Sequence, residues 1–416
     1  MFFKKHLQFL KEVFIYTLTA FGGPQGHYGM MLKTFVHKRN DLQESELIEF
    51  NSLCQLLPGA SSTQLLTLIG FKRGGLKLAV LTFLIWISPA CFLMSVFSIF
   101  ISTANHQNIH SSVFKFIQPM AIGFLIYTVF RSFSHSINNI ITVIIMFFGI
   151  FLMLLFFKTP WVLPVLIITA GIVTNFSNKR IPSSKLFSPK PIRWNNVWIF
   201  ISVFLIAGFL SESARTHQWE HRKIYNVFEN SYRFGSFVFG GGDVLLPMML
   251  DQYVERPSNN KTINKNPGII IIDKGSLLTG YGLVKAIPGP VFSFASYVGG
   301  LALYGEGKFY QIIGSIVASV AIFLPSMLFV LFFFPVWNNL KNYVVVYRAL
   351  EGINAVIVGV IAASALYLLR FVYLPESLLS SSINFTIIIT TFFILFYTKI
   401  PPPLVVLFCL VLGWIL

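Results

Sequence analysis

Two apolar runs in this chain are interrupted by a proline-glycine step, first at Gln55-Leu56-Leu57-Pro58-Gly59-Ala60 and again at Lys285-Ala286-Ile287-Pro288-Gly289-Pro290. Proline removes a backbone donor and clashes with the turn before it, and glycine adds conformational freedom, so a helix entering this stretch bends or stops. Both runs are long enough to enter a bilayer, where lipid cannot satisfy the freed carbonyls. Each bare group would cost several kcal/mol, so broken backbone at membrane depth belongs beside protein or a water-filled cavity. The repeated break therefore predicts a cavity.

Of the 416 residues, 55% are hydrophobic and 11% charged, against about 25% charged in soluble domains. The expected class is an all-α integral membrane protein. The net charge of +16 comes from basic residues lying between apolar runs rather than along one face, the distribution of membrane loops and not of a nucleic-acid surface. Cys54, Cys91 and Cys409 sit in apolar runs without paired spacing, so neither a disulfide framework nor a zinc cage is expected. Lys4 and Lys5 precede an apolar stretch with no small-residue cleavage site after it, which reads as a retained first helix. No nucleotide-binding loop is present, and no cofactor is expected.

Apolar runs near 12–30, 51–70, 78–102, 116–131, 138–157 and 160–176 fill the first part of the chain. A polar stretch with Pro182, Pro189 and Pro191 follows, then a lone run at 197–210, and then runs near 224–250, 276–303, 309–335, 349–370, 383–398 and 400–416. Taken as spans these make about thirteen. The two halves repeat each other: Phe21-Gly22-Gly23 recurs as Phe239-Gly240-Gly241 at an offset of 218, Pro58-Gly59 as Pro288-Gly289 at 230, and Pro89 as Pro325 at 236. The expected organisation is a first transmembrane repeat over 1–178, a linker and central helix over 179–213, and a second repeat over 214–416. Six spans plus the central helix precede the second repeat, so the repeats are expected to lie inverted, a transporter architecture. With the N-terminus inside, nineteen lysines and arginines fall in inner segments and ten in outer ones, which favours N-in and C-out. The segment from Lys33 to Arg39 runs against that pattern. Asp41 and Glu44 after it have capping-box spacing for a new helix.

From Lys11 to Gly22 is about 16 Å of helix, and from Glu49 to Pro58 about 13 Å, so both breaks fall near the midplane. Four matched breaks can surround one site, and half-helices starting at them present unpaired N–H groups and positive dipole ends that favour anions. The candidate binding residues are Gly22, Gly23, Pro24, His27, Gln55, Pro58, Gly59, Gln64, Gly240, Gly241, Gly242, Asp243, Lys285, Pro288, Gly289 and Pro290. Lys285 stands where the first repeat has Gln55, and a charge at such depth needs a cavity or a partner. Asp243 either caps the next half-helix or carries a coupling ion. Gln118 and Glu351 form a looser repeat pair. His106 with His110 and His217 with His221 have helical metal-ligand spacing but fall in loops, so no metal site is expected. A membrane-embedded enzyme would need a nucleophile with its base or an acidic metal cluster. Ser61 and Ser62 have no histidine or aspartate placed by sequence to activate them.

Ala20-Phe21-Gly22-Gly23-Pro24 with His27, Leu53-Cys54-Gln55-Leu56-Leu57-Pro58-Gly59 with Gln64, Phe239-Gly240-Gly241-Gly242 with Pro247, and Pro288-Gly289-Pro290 together resemble the chromate ion transporter family in its two-domain form. The resemblance covers almost the whole chain. It implies export of a small inorganic oxyanion, chromate first, with sulfate or another anion as the alternative, by a multi-pass protein of a cell membrane, the inner membrane of a bacterium. A homodimer is compatible with it.

Overall fold

In a computed structural model, the described residues are 2–106, 113–156, 162–176, 195–239, 241–257, 269–340, 344–372 and 378–415. They contain helices and no strands, as an all-α membrane protein requires. Gly240, His110 and the linker over 179–194 lie outside them.

The apolar run at 12–30 is two helices, not one. Helix α1 (Phe2–Thr19) ends at the glycine pair, where Gly22 and Gly23 take φ of 92° and 69°, a region open to glycine at little cost. Helix α2 (Gly23–Met31) then continues as a π-helix over Leu32–Lys38 and runs back along α1. Phe35 packs on Phe9 and Tyr16, and Lys38 pairs with Glu12 at 3.3 Å. The run at 51–70 does the same: α3 (Glu44–Leu56) breaks at Leu57 to Ala60, and the start of α4 (Ser61–His106) returns beside it, so that Lys72 pairs with Glu46 and Arg73 with Asp41. The bond from Lys72 holds the Glu46 carboxyl below its ordinary range. In the second half α9 (Arg222–Phe237) is followed, after Gly241 and Gly242, by α10 (Leu245–Leu250) running back beside it, with Phe234 against Tyr253. Likewise α11 (Lys274–Val284) folds back into α12 (Phe294–Ala302), where the Tyr297 hydroxyl donates to the Ser276 carbonyl at 2.8 Å. Four expected spans are therefore helical hairpins, each with a glycine-bearing break as its tip.

Two long helices fix how the hairpins face each other. The non-helical pair Gly74 and Gly75 divides α4 into the hairpin arm 61–73 and a long segment 76–106. That long segment starts at the base of the first two hairpins, where Gly74 approaches His6. It passes the fourth tip at Trp86 and Ala90 and reaches Gly300, near that hairpin's far end, at Ser98. Helix α13 (Lys308–Leu340) runs the reverse course, from Gly299 at Gly314, past the second tip at Ser326, to Phe50 and Phe71 at Phe334. The tips thus meet head to head at mid-length. There, Gly59 N–H donates to the Val238 carbonyl at 2.6 Å, and Gly289 N–H donates to the Ala20 carbonyl at 2.9 Å. Shifting 59 by 230 and 20 by 218 turns one bond into the other.

Around this centre pack α5 (Ile117–Ser136), α6 (Ile140–Leu155), α7 (Val162–Val173), α8 (Asn195–Thr216), α14 (Val344–Val372), α15 (Leu378–Tyr397) and α16 (Pro402–Ile415). Among the described residues, Ser61–Thr103, Val197–Thr216, Lys308–Pro335 and Arg348–Arg370 are long and apolar enough to cross a membrane. Two local expectations need correction. Lys38 and Arg39 share an end with Arg73, since both arginines lie over Phe9. The helix after them is capped by Gln43, whose N–H donates to Glu46 at 2.9 Å, while Asp41 is held by Arg39 and Arg73.

Candidate functional site

A small cavity opens where the four tips meet, walled by Gly23, Pro24 and His27, by Ala60 to Thr63, by Gly241 and Gly242, and by Pro290 to Phe292. Every wall is the start of a returning helix. Pro24 occupies the first turn of α2, a position where its missing N–H costs nothing, and Ser61 to Thr63 form the first turn of α4. The opening N–H groups of such helices have no partner within the helix, and their dipoles point positive ends at the same space. Tips of different hairpins are in contact here: Gly241 lies against Pro24, and a side chain at Gly242 would strike Val291 at 2.8 Å.

His27 is the cavity's main polar side chain from the first hairpin and is 2% exposed. Its Nδ1 lies 3.0 Å from the Ser62 hydroxyl, its ring meets Trp86 edge-on, and its Nε2 makes no well-formed hydrogen bond among the described residues. Trp86 is fixed in turn by its indole N–H, which donates to Thr63 Oγ1 at 3.0 Å. Sequence reading missed Ser62 and Thr63 as wall residues, although their place just after Pro58-Gly59-Ala60 was the available signal. The same contact corrects the expectation that no histidine stands near Ser62. Among the described contacts, no carboxylate orients this histidine, as a base that activates a serine requires.

The proline-glycine steps have a different task from the expected one. The Gly59 and Gly289 N–H groups are occupied by the cross-half bonds, and Ala60 N–H donates to Ser326 Oγ at 2.9 Å. Gln64 donates through Nε2 to the Pro58 carbonyl at 2.8 Å, tying down the second tip instead of facing the cavity. Pro58, Gly59, Gln64, Pro288 and Gly289 therefore shape the site, whereas Gln55 is exposed and outside it. Gly22, also exposed, is not on the cavity wall.

Asp243 and Lys285 come together, one from the third tip and one from the fourth, as an ion pair beside the cavity and not on its wall. The Tyr281 hydroxyl donates to Asp243 Oδ1 at 2.7 Å, Thr128 donates to Oδ2 at 3.2 Å, and the ammonium lies 4.6 Å from the Tyr281 ring centroid. Lys285 is the C-cap of α11 and Asp243 lies in the first turn of the third hairpin's returning arm, so each charge sits at the helix end that favours it.

The remaining candidates lie elsewhere. Gln118 is near Gly275, and Glu351 accepts from Asn139 Nδ2. His221 Nε2 lies 2.8 Å from the Tyr310 hydroxyl, and His217 Nδ1 lies 3.0 Å from the Ser213 carbonyl. No cluster of three or more metal-ligating residues occurs among the described residues.

The chain belongs to the chromate transporter family, whose model matches residues 7–175 and 225–414, one stretch in each half. It is similar to an uncharacterized transporter of Methanocaldococcus jannaschii, 25% identical over 400 residues covering 96% of this chain and 91% of that protein. It is also similar to a chromate transport protein of Cupriavidus metallidurans, 22% identical over 97% of this chain and 92% of the relative, and to one of Pseudomonas aeruginosa, 21% identical over 84% and 77%. No solved structure matches it.

Proposed function

We propose that this membrane transporter moves a small inorganic oxyanion outward, chromate or a dianion of the same shape such as sulfate, with the membrane potential as its driving force. The observation that carries the reading is the cavity at which returning-helix starts from four hairpins converge beside the buried Nε2 of His27. If the Ser62 hydroxyl donates to Nδ1, the ring proton sits on Nε2 as a donor for an oxyanion. The relatives named for chromate transport support the substrate class. Moving a dianion through 100 mV is worth about 4.6 kcal/mol, enough for roughly a thousandfold gradient at 1.4 kcal/mol per decade.

The reading is tested in proteoliposomes loaded with chromate or sulfate. His27→Phe, which fills the cavity and removes the donor, is expected to weaken oxyanion transport at least tenfold, with the protein still inserted and monodisperse. Unchanged transport would remove the cavity from the pathway.

The proposed arrangement is a pair of inverted repeats, 1–178 and 214–416, around a linker and the central helix α8. The reciprocal Gly59 and Gly289 bonds and the double family match support it. Withdrawing four hairpins from the expected count removes an even number of crossings, so N-in and C-out are retained. The same withdrawal moves Lys33, Lys38 and Arg39 to inner segments and Arg256, Lys261, Lys265 and Lys274 to outer ones, so the inner excess becomes eighteen to eleven. Cysteines at Lys38 and at Lys223, which pairs with Glu306 near the far end of the fourth hairpin, are expected to label from opposite faces of the membrane. Labelling from one face contradicts the inversion.

A further inference from the structure

The two halves differ most where their charges are. Asp243 and Lys285 have Gln25 and Gln55 as repeat counterparts at the offsets of 218 and 230, so the second half alone carries an ion pair across its tips. The pair flanks the cavity: Gly242, next to Asp243, and Pro290, five residues beyond Lys285, are both on its wall. The Lys285 side chain is 10% exposed and that of Asp243 25%. The groups facing Asp243 are Tyr281 and Lys285 from α11 and Thr128 from α5. Helix α14 also packs on this turn, but its charged residues are engaged elsewhere, Arg348 at the Asn175 carbonyl, Glu351 at Asn139 and Arg370 beside Tyr367.

We propose that Asp243 takes up a proton when an oxyanion engages Lys285, so that each oxyanion crosses together with one proton. The inference rests on the oxyanion reading above. As it stands the pair is neutral, with two hydrogen-bond donors besides Lys285 holding the carboxylate charged. An arriving dianion competes for the same ammonium. Once Lys285 turns to it, the carboxylate loses its cation and faces a second negative charge, and both changes favour its neutral form. The proton comes from water on the side where the anion enters and adds to a carboxylate oxygen, while Lys285 keeps its three protons. The loaded site then carries one net negative charge rather than two, so the gradient that 100 mV sustains is about fortyfold instead of the thousandfold of a bare dianion, and unloading restores the pair as the proton leaves.

The test uses the full chain in proteoliposomes, with chromate at a pH where it is wholly the dianion and a pH-reporting dye inside. Wild type is expected to move about one proton with each chromate, in the same direction. Asp243→Asn, a permanent mimic of the protonated acid, is expected to exchange chromate across the membrane without moving protons. Tyr281→Phe removes one donor to the carboxylate while keeping the pair, which raises the carboxylate's proton affinity, so the pH midpoint of transport should shift upward. It reports on coupling even if the asparagine variant does not fold. Chromate movement without proton movement in wild type overturns the coupling and leaves the transport reading intact. So does proton movement that persists in Asp243→Asn. Absence of chromate movement in wild type overturns both.

Discussion

Replacing Gly59 or Gly289 with valine should reduce oxyanion transport by two orders of magnitude or more while the protein still inserts and purifies as a folded species. The two glycines have φ of 112° and 115°, where a β-branched residue is a genuine outlier and the backbone strain alone is about 1–3 kcal/mol. A side chain at Gly59 would also collide with Ser326, which anchors the neighbouring Ala60 N–H, and one at Gly289 would press on Ala90 at 3.0 Å. The collisions fall on single positions, Ser326 of α13 and Ala90 of α4, and the rest of those long packed faces supports the fold. Both act on the tips, where Gly59 and Gly289 bond to the opposite half at Val238 and Ala20. Losing either bond lets the returning helices turn away from the cavity they wall, and helix starts facing one space favour an anion there. The measurement is chromate flux into inverted vesicles beside a size-exclusion profile. Wild-type flux in both variants would show that the tip-to-tip contacts do not position the site.

How much of this was legible in the sequence depends on the length scale of the signal. The matched breaks were legible, because Phe21-Gly22-Gly23 and Pro58-Gly59 recur with the offsets that relate the Gly59–Val238 bond to the Gly289–Ala20 bond. The breaks were legible as breaks, since proline and glycine act on the local backbone. The direction taken after each break was not. An apolar run of about twenty residues has the same hydropathy whether it crosses straight or doubles back, and the choice is set by contacts between its two ends. Those contacts left a trace in retrospect: Glu46 with Lys72 and Glu12 with Lys38 are opposite charges nearly symmetric about a Gly-bearing break. The His27–Ser62 contact joins residues 35 apart, and the Asp243–Lys285 pair joins residues 42 apart. Nothing periodic connects them, and only the packing of tips does.

Lys285 carries the second large expectation. With one ammonium and a dianion, the rest of the field must come from helix starts and His27, and removing the ammonium removes the full positive charge that Lys285 places beside the cavity. Lys285→Gln should weaken oxyanion affinity at least tenfold, about 1.4 kcal/mol, whereas Lys285→Arg keeps the charge and part of the affinity. The glutamine variant alone is ambiguous, because it leaves Asp243 as a partly buried carboxylate held by Tyr281 and Thr128 without its cation, and breaking such a pair costs about 3–5 kcal/mol in other proteins. The bare carboxylate would also repel the anion. Pairing Lys285→Gln with Asp243→Asn separates the two causes, since the double variant has neither charge. If the loss in Lys285→Gln comes from the missing cation, the double variant stays weak. If it comes from the uncompensated carboxylate, the double variant recovers wild-type affinity, and Lys285 serves to neutralise Asp243 rather than to bind the substrate. Equal, wild-type affinity in the glutamine and arginine variants would take both residues out of the binding site and leave the anion to the helix starts and His27.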